Sequence, residues 1–115
     1  MPKTSRHQHQ IELLQGTLDM LVLRTLQWGP AHGHGIGLAI RAGSDAAFDI
    51  DHGSLYPALH RLERQGWVSA EWRRTENGQR AKYYALTARG RRQLVVERSR
   101  WQRLVGAIAR LMDPA

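Results

Sequence analysis

The fourteen residues Gly53–Gly66, GSLYPALHRLERQG, constrain this chain most. Leu55, Leu59 and Leu62 recur at i, i+4 and i+7, a spacing that lines one stripe of an α-helix and no single face of a strand. The opposite side carries Pro57, His60, Arg61 and Arg64, with Ser54 and Tyr56 beside its first turn. Gly53 or Ser54 is expected to cap the helix, Pro57 to fall in the first turn, where its missing N–H costs little, and Gly66 to stop it. A rod anchored by leucines that turns hydroxyl, imidazole and guanidinium groups outward suits a DNA major groove in shape and in donors.

The charge distribution points the same way. The chain carries a net charge of +7, yet residues 1–58 hold four basic and five acidic side chains while residues 59–115 hold thirteen and five. Such concentration favours an anionic partner, nucleic acid ahead of membrane. At 115 residues the chain makes one domain. It has no cysteine, which excludes a disulfide framework, a thiolate metal site and a cysteine nucleophile. No apolar run approaches the length that crosses a bilayer, and the opening MPKTSRHQHQ lacks the apolar core of a secretory signal. The expectation is a cytoplasmic protein with no membrane partner. No cofactor is expected, and no metal, because His7 and His9 alone are too few ligands.

Along the chain, residues 1–10 read as a mobile arm. A helix over Thr17–Trp28 follows, with Leu18, Leu21, Val22 and Leu26 on one face, Thr17 as cap, Asp19 at its positive end and Gly29-Pro30 as its stop. His32–Ala42 makes a shorter helix with Ile36 and Ile40 one turn apart, and Phe48 and Ile50 plug the core from the connection after it. Beyond Gly66 the period changes to two, over Trp67–Trp72 and again toward Tyr84 and Leu86. Asn77-Gly78 lies between them and supplies the φ > 0 residues of a tight hairpin. The result is a two-stranded wing with a basic tip of Arg73, Arg74, Arg80 and Lys82. Trp28, Trp67 and Trp72 are expected in core or hinge packing.

Thr87 then caps a long helix reaching about Met112. Leu94, Trp101 and Ile108 recur by sevens, as do Leu104 and Leu111, with Val105 and Met112 adjacent. At 1.5 Å per residue such a helix is roughly 39 Å long, more than a domain this small covers with its own core. The seam is expected to meet a second copy of itself; the alternative is packing along the first helix of the same chain.

The fold class is therefore mainly α with a small β-hairpin: a winged helix-turn-helix over residues 11–86 followed by a C-terminal dimerisation helix over 87–115. At GSLYPALHRLERQGW and AKYYALTARG the sequence closely resembles the PadR family of bacterial transcriptional regulators, over roughly Leu14–Leu111. It looks most like the short members with a single C-terminal helix, some of them encoded beside permease-type transporters. The resemblance implies a homodimer that binds a palindromic operator in double-stranded DNA and represses a neighbouring gene. Some relatives bind small aromatic effectors between subunits; the sequence marks out no ligand residues for one. Many relatives carry a tyrosine where this chain has His34, which is expected as a partly buried structural histidine.

The expected DNA contacts are Ser54, Tyr56, Pro57, His60, Arg61 and Arg64 on the third helix and Arg73, Arg74, Arg80 and Lys82 on the wing. Arg61 is the first choice for bidentate guanine readout and His60 the second. The competing reading pairs Arg61 with Glu63 or Glu97. An enzyme is not expected, since Ser54 lacks a nucleophile-elbow motif and has no base within reach. The alternative function is a winged-helix protein-interaction module or a non-specific nucleic-acid binder, and the discriminator is whether the outward face of the third helix is apolar or charged.

Overall fold

The structure, a computed structural model, describes residues 13–114. Helix α1 spans Gln15–Thr25 and runs into a 3₁₀ turn, Leu26–Trp28; α2 spans Gly33–Gly43, α3 His52–Arg64 and α4 Ala88–Met112. Three short strands, β1 (Ala31–His32), β2 (Val68–Arg74) and β3 (Arg80–Leu86), form an antiparallel sheet in the order β1-β3-β2. The expected hairpin is thus a three-stranded sheet. Ala31 and His32 pair with Tyr84 and Tyr83, and a two-residue strand carries no periodicity that a sequence could show. The arm, with His7 and His9, lies outside the described residues.

The core sits where α1, α2 and α3 meet the base of the sheet. Leu55, Leu59 and Leu62 of α3 are fully buried, as is Ala58 beside them. They pack with Leu18, Val22, Leu23 and Leu26, with Ile36 and Ile40, and with Val68, Tyr84 and Leu94. Full burial of each leucine contributes about 1.5–3 kcal/mol relative to exposure, so the α3 stripe is held firmly. Phe48 and Ile50 pack against this cluster, as expected.

Several helix ends differ from expectation. Asp51, not Gly53 or Ser54, caps α3: its Oδ1 accepts from the Ser54 N–H at 2.8 Å. The helix therefore begins earlier, and Pro57 lies within it rather than in its first turn. Its missing N–H leaves the Gly53 carbonyl without the usual helical donor. Helix α1 starts at Gln15 with no side-chain cap, so Thr17 is inside it. The end of α3 is as expected. Gly66 takes φ +75°, its N–H donates to Glu63 O, and the Trp67 N–H reaches back to Leu62 O, both at 3.0 Å, in a Schellman arrangement that a β-carbon would strain. In the wing turn only Gly78, not Asn77, has positive φ; the Thr75 and Gln79 backbones pair across a longer loop than a two-residue hairpin.

Thr87 caps α4 as expected, its hydroxyl accepting from the Gly90 N–H at 3.0 Å while donating to Gly66 O at 2.7 Å. Among the described residues, only the first turns of α4 are covered by the rest of the domain. Leu94 is 4% exposed and belongs to the core, which removes it from the seam expected of it. Beyond it Trp101, Leu104, Val105, Ile108, Leu111 and Met112 are all exposed. The alternative of packing along α1 thus holds for the N-terminal part of the helix alone.

Candidate nucleic-acid interface

Helix α3 lies between α1 and α2 on its leucine side and faces solvent on the other. Ser54, Tyr56, Pro57, His60 and Arg64 are exposed there. Arg61 is not with them. Its Nη2 donates to Asp19 Oδ1 of α1 at 2.8 Å, with the two side chains 25% and 15% exposed. This differs from the guanine-reading role expected from the sequence, and also from the competing pairs with Glu63 or Glu97. Arg61 precedes the buried Leu62 and emerges on the border of the apolar stripe, where the neighbouring helix offers a carboxylate. Asp19 itself is spent on this tie across the helix pair.

Tyr56 is held by a local device. Its ring lies over the backbone of Gly33 at the start of α2, so close that a β-carbon there would sit 2.7 Å from the phenol oxygen. The ring also meets His52 edge-on at 5.4 Å between centroids. His52 in turn faces His34 at 6.5 Å, and His34 stacks on His32 at 6.3 Å. His32 caps α2: its Nδ1 accepts from the Gly35 N–H at 3.0 Å. His34 is exposed rather than partly buried, because the buried positions of this turn fall to Gly33 and Ile36. The described residues contain no group of three or more ligating side chains arranged to hold a metal.

The wing continues the core face of the sheet outward. Val68, Ala70, Trp72 and Arg74 share one face of β2 by the period-two rule, opposite Leu86, Tyr84, Lys82 and Arg80 of β3. Its base is buried against the core; its outer half projects and looks toward α3. Between them lies a groove of about 680 Å³, lined among others by Tyr56, His60, Trp72, Arg80 and Lys82. Lys82 Nζ reaches Glu63 Oε1 at 3.3 Å and ties wing to helix. Burial raises the Tyr84 phenol above its usual range, partly offset by the nearby Lys82 charge.

The four wing cations expected as contacts are not equivalent. Arg73 is on the opposite face, paired with Glu71 and lying over the Tyr83 ring at 5.2 Å. Arg74 Nη1 donates to Gly78 O at 3.0 Å and braces the turn. Lys82 is tied to Glu63, and Arg80 stacks on Trp72 at 5.3 Å. Trp72, expected in core or hinge packing, is 59% exposed, and Trp28 is 69% exposed with Arg24 over its ring; Trp67 alone packs against the core as expected. Sequence reasoning missed Gly33, His32 and Trp72 as parts of this surface. The alternation through Val68 and Ala70 assigns Trp72 its face, but not the point where the core beneath that face ends.

An amphipathic helix with a polar, cationic outer side, flanked by a basic hairpin across an open groove, is the surface with which winged helices meet duplex DNA. No helix among the described residues is long and apolar enough to cross a membrane.

The chain resembles known proteins over most of its length. A PadR-family transcriptional regulator from Eggerthella lenta is 33% identical, with a TM-score of 0.72 over 87% of this chain and 85% of that one. A transcriptional regulator from Clostridium thermocellum is 27% identical, with a TM-score of 0.75 over 83% and 92%. An uncharacterized protein of Lysinibacillus sphaericus is 28% identical over 80 residues, 70% of this chain and 73% of the relative. Residues 22–96, from the core of α1 through the wing to the first turns of α4, match the profile of the transcriptional regulator PadR-like family, and with the fold and the helix–wing surface they establish that this chain belongs to that family of DNA-binding regulators.

Proposed function

We propose that the protein acts as a homodimer that binds an inverted-repeat operator and represses transcription of an adjacent gene, with a permease-type transporter gene as the first candidate. The observation that carries the dimer is the stripe on α4. Trp101, Leu104, Val105, Ile108, Leu111 and Met112 are 45, 57, 43, 50, 80 and 70% exposed on one side of a helix of which the described residues cover only the beginning. Six large apolar side chains in one stripe form a patch of the kind that marks a protein interface. A self-complementary seam closes with two-fold symmetry, which duplicates α3 and its wing. Leu94 takes no part in that seam.

In each half of the dimer, α3 enters the major groove and presents Ser54, Tyr56, Pro57 and His60, with Arg64 near the backbone. Arg80 and Arg74 follow from the wing, with Lys82 behind them. His60 replaces Arg61 as the first candidate for reading a base edge. The outer side of α3 is charged and polar rather than apolar, which favours DNA over a protein partner by the criterion set from the sequence.

Selection of bound duplexes from a random pool at physiological salt, with sedimentation of the free protein, tests this reading. An inverted repeat and a dimer that Ile108→Asp splits into monomers are the expected results. An unenriched pool, or a monomer at concentrations that saturate DNA, overturns it.

A further inference from the structure

We propose that Trp72 is a positioning residue of the interface: its exposed indole holds the Arg80 guanidinium ready to enter the minor groove beside the half-site read by α3. This inference rests on the DNA-binding reading above and assigns a role to a side chain that reading does not use.

Arg61 and the four wing cations are held in different ways. Arg61 is neutralised by Asp19, Arg73 by Glu71 and Lys82 by Glu63. Arg74 has given one guanidinium nitrogen to the Gly78 carbonyl. Arg80 differs. Among the described residues no carboxylate pairs with it, and it is held by the face of Trp72, 5.3 Å from the ring centroid. A ring face attracts the cation without consuming any N–H donor or cancelling its charge. Stacking also reduces the rotamer freedom that a long side chain loses when it binds. Arg80 is therefore ordered, still charged and still able to donate.

Trp72 is well placed for this and poorly explained otherwise. It is 59% exposed on the face that looks across the groove toward Tyr56 and His60. Its Cα partner in the sheet is Lys82, and Arg80 stands diagonally across the same face, a separation that long and aromatic side chains span. The indole adds little to the core, so a stability role does not account for it. A narrow A·T-rich minor groove concentrates negative potential and draws in arginine. A pre-ordered Arg80 then makes the wing sensitive to groove width at base pairs that α3 does not touch.

The test uses the full chain and duplexes recovered from the random pool, remade with either A·T or G·C base pairs flanking each half-site. The wild type is expected to prefer A·T flanks, and Arg80→Ala to abolish that preference. Trp72→Ala should weaken binding to A·T-flanked duplex roughly two- to five-fold, the range of an exposed cation–π contact, with little change on G·C flanks. Trp72→Phe should retain most of the wild-type affinity. Trp72→Ala combined with Arg80→Ala should be no weaker than Arg80→Ala alone, and all variants should melt as the wild type does. Additive losses, an unaffected Trp72→Ala, or a flank preference that survives Arg80→Ala overturns the inference while leaving the regulator reading intact. A wild-type protein that binds no duplex overturns both.

Discussion

Removing Arg61 separates a strut from a reader of bases. In the structure its Nη2 donates to Asp19 Oδ1 at 2.8 Å, with side-chain exposures of 25% and 15%. A hydrogen bond between charged groups contributes about 1.5–3 kcal/mol, and a partner left behind in a low-dielectric position adds to the loss. Two features lower the figure: Arg61 retains some solvent, and its Nε is buried with no hydrogen-bond partner among the described residues. Arg61→Ala is therefore expected to cost about 2 kcal/mol of stability. For a domain of about 100 residues that is a fall in Tm of roughly 8–16 °C. Asp19→Ala should cost a similar amount, and the double variant clearly less than the sum, with a coupling of about 1–2 kcal/mol. Thermal unfolding of the four proteins at one fixed concentration measures this cycle, since a dimer's Tm moves with concentration. DNA affinity, measured well below the melting range, should change little. An unaltered Tm together with lost preference at one base position would refute the strut. The guanidinium would then leave Asp19 for guanine on binding, as the sequence spacing alone suggests.

Gly33→Ala should push the Tyr56 ring off the α2 backbone, because the new methyl would lie 2.7 Å from the phenol oxygen. Tyr56 is 38% exposed, which leaves the displaced ring room on its solvent side, so stability should fall by only about 1 kcal/mol while operator affinity drops to the level of Tyr56→Ala. Gly90→Ala should behave in the opposite way. Its β-carbon would overlap the Trp67 carbonyl oxygen, a backbone atom that cannot step aside, and denaturant titration should show a loss of about 3 kcal/mol or more. Ala46 sits at φ +63° between α2 and α3, following Asp45 at +54°. Ala46→Gly should relieve that left-handed strain and stabilise the protein by about 0.5–1 kcal/mol, read as a raised denaturant midpoint with unchanged m-value.

What was legible in the sequence was what repeats or punctuates. The leucines of α3 recur at helical spacing and are all buried; the Schellman stop at Gly66 and the Thr87 cap fall where expected. The resemblance at GSLYPALHRLERQGW and AKYYALTARG led to the right family. What escaped was set by contacts between distant residues. Arg61 and Asp19 are 42 positions apart, and only the packing of α1 on α3 brings them together. Leu94 continues the heptad of Trp101 and Ile108 without a break, yet one lies in the core and the others in solvent. The pattern records that each position is apolar, and the same spacing serves an intrachain face and a partner's face equally well. Asp51 escaped for a smaller reason: capping side chains compete over two or three adjacent positions, and Asp51, Gly53 and Ser54 are all acceptable to a helix start.

The most direct test of two symmetry-related α3 helices on one face of a duplex is to change the rotation between their half-sites. Inserting five base pairs, about half a turn of DNA, between the halves of the selected operator should reduce binding to that of unrelated sequence, and ten inserted base pairs should return both halves to one face. Equal affinity for all three spacings would mean that each subunit binds alone, and would contradict the account.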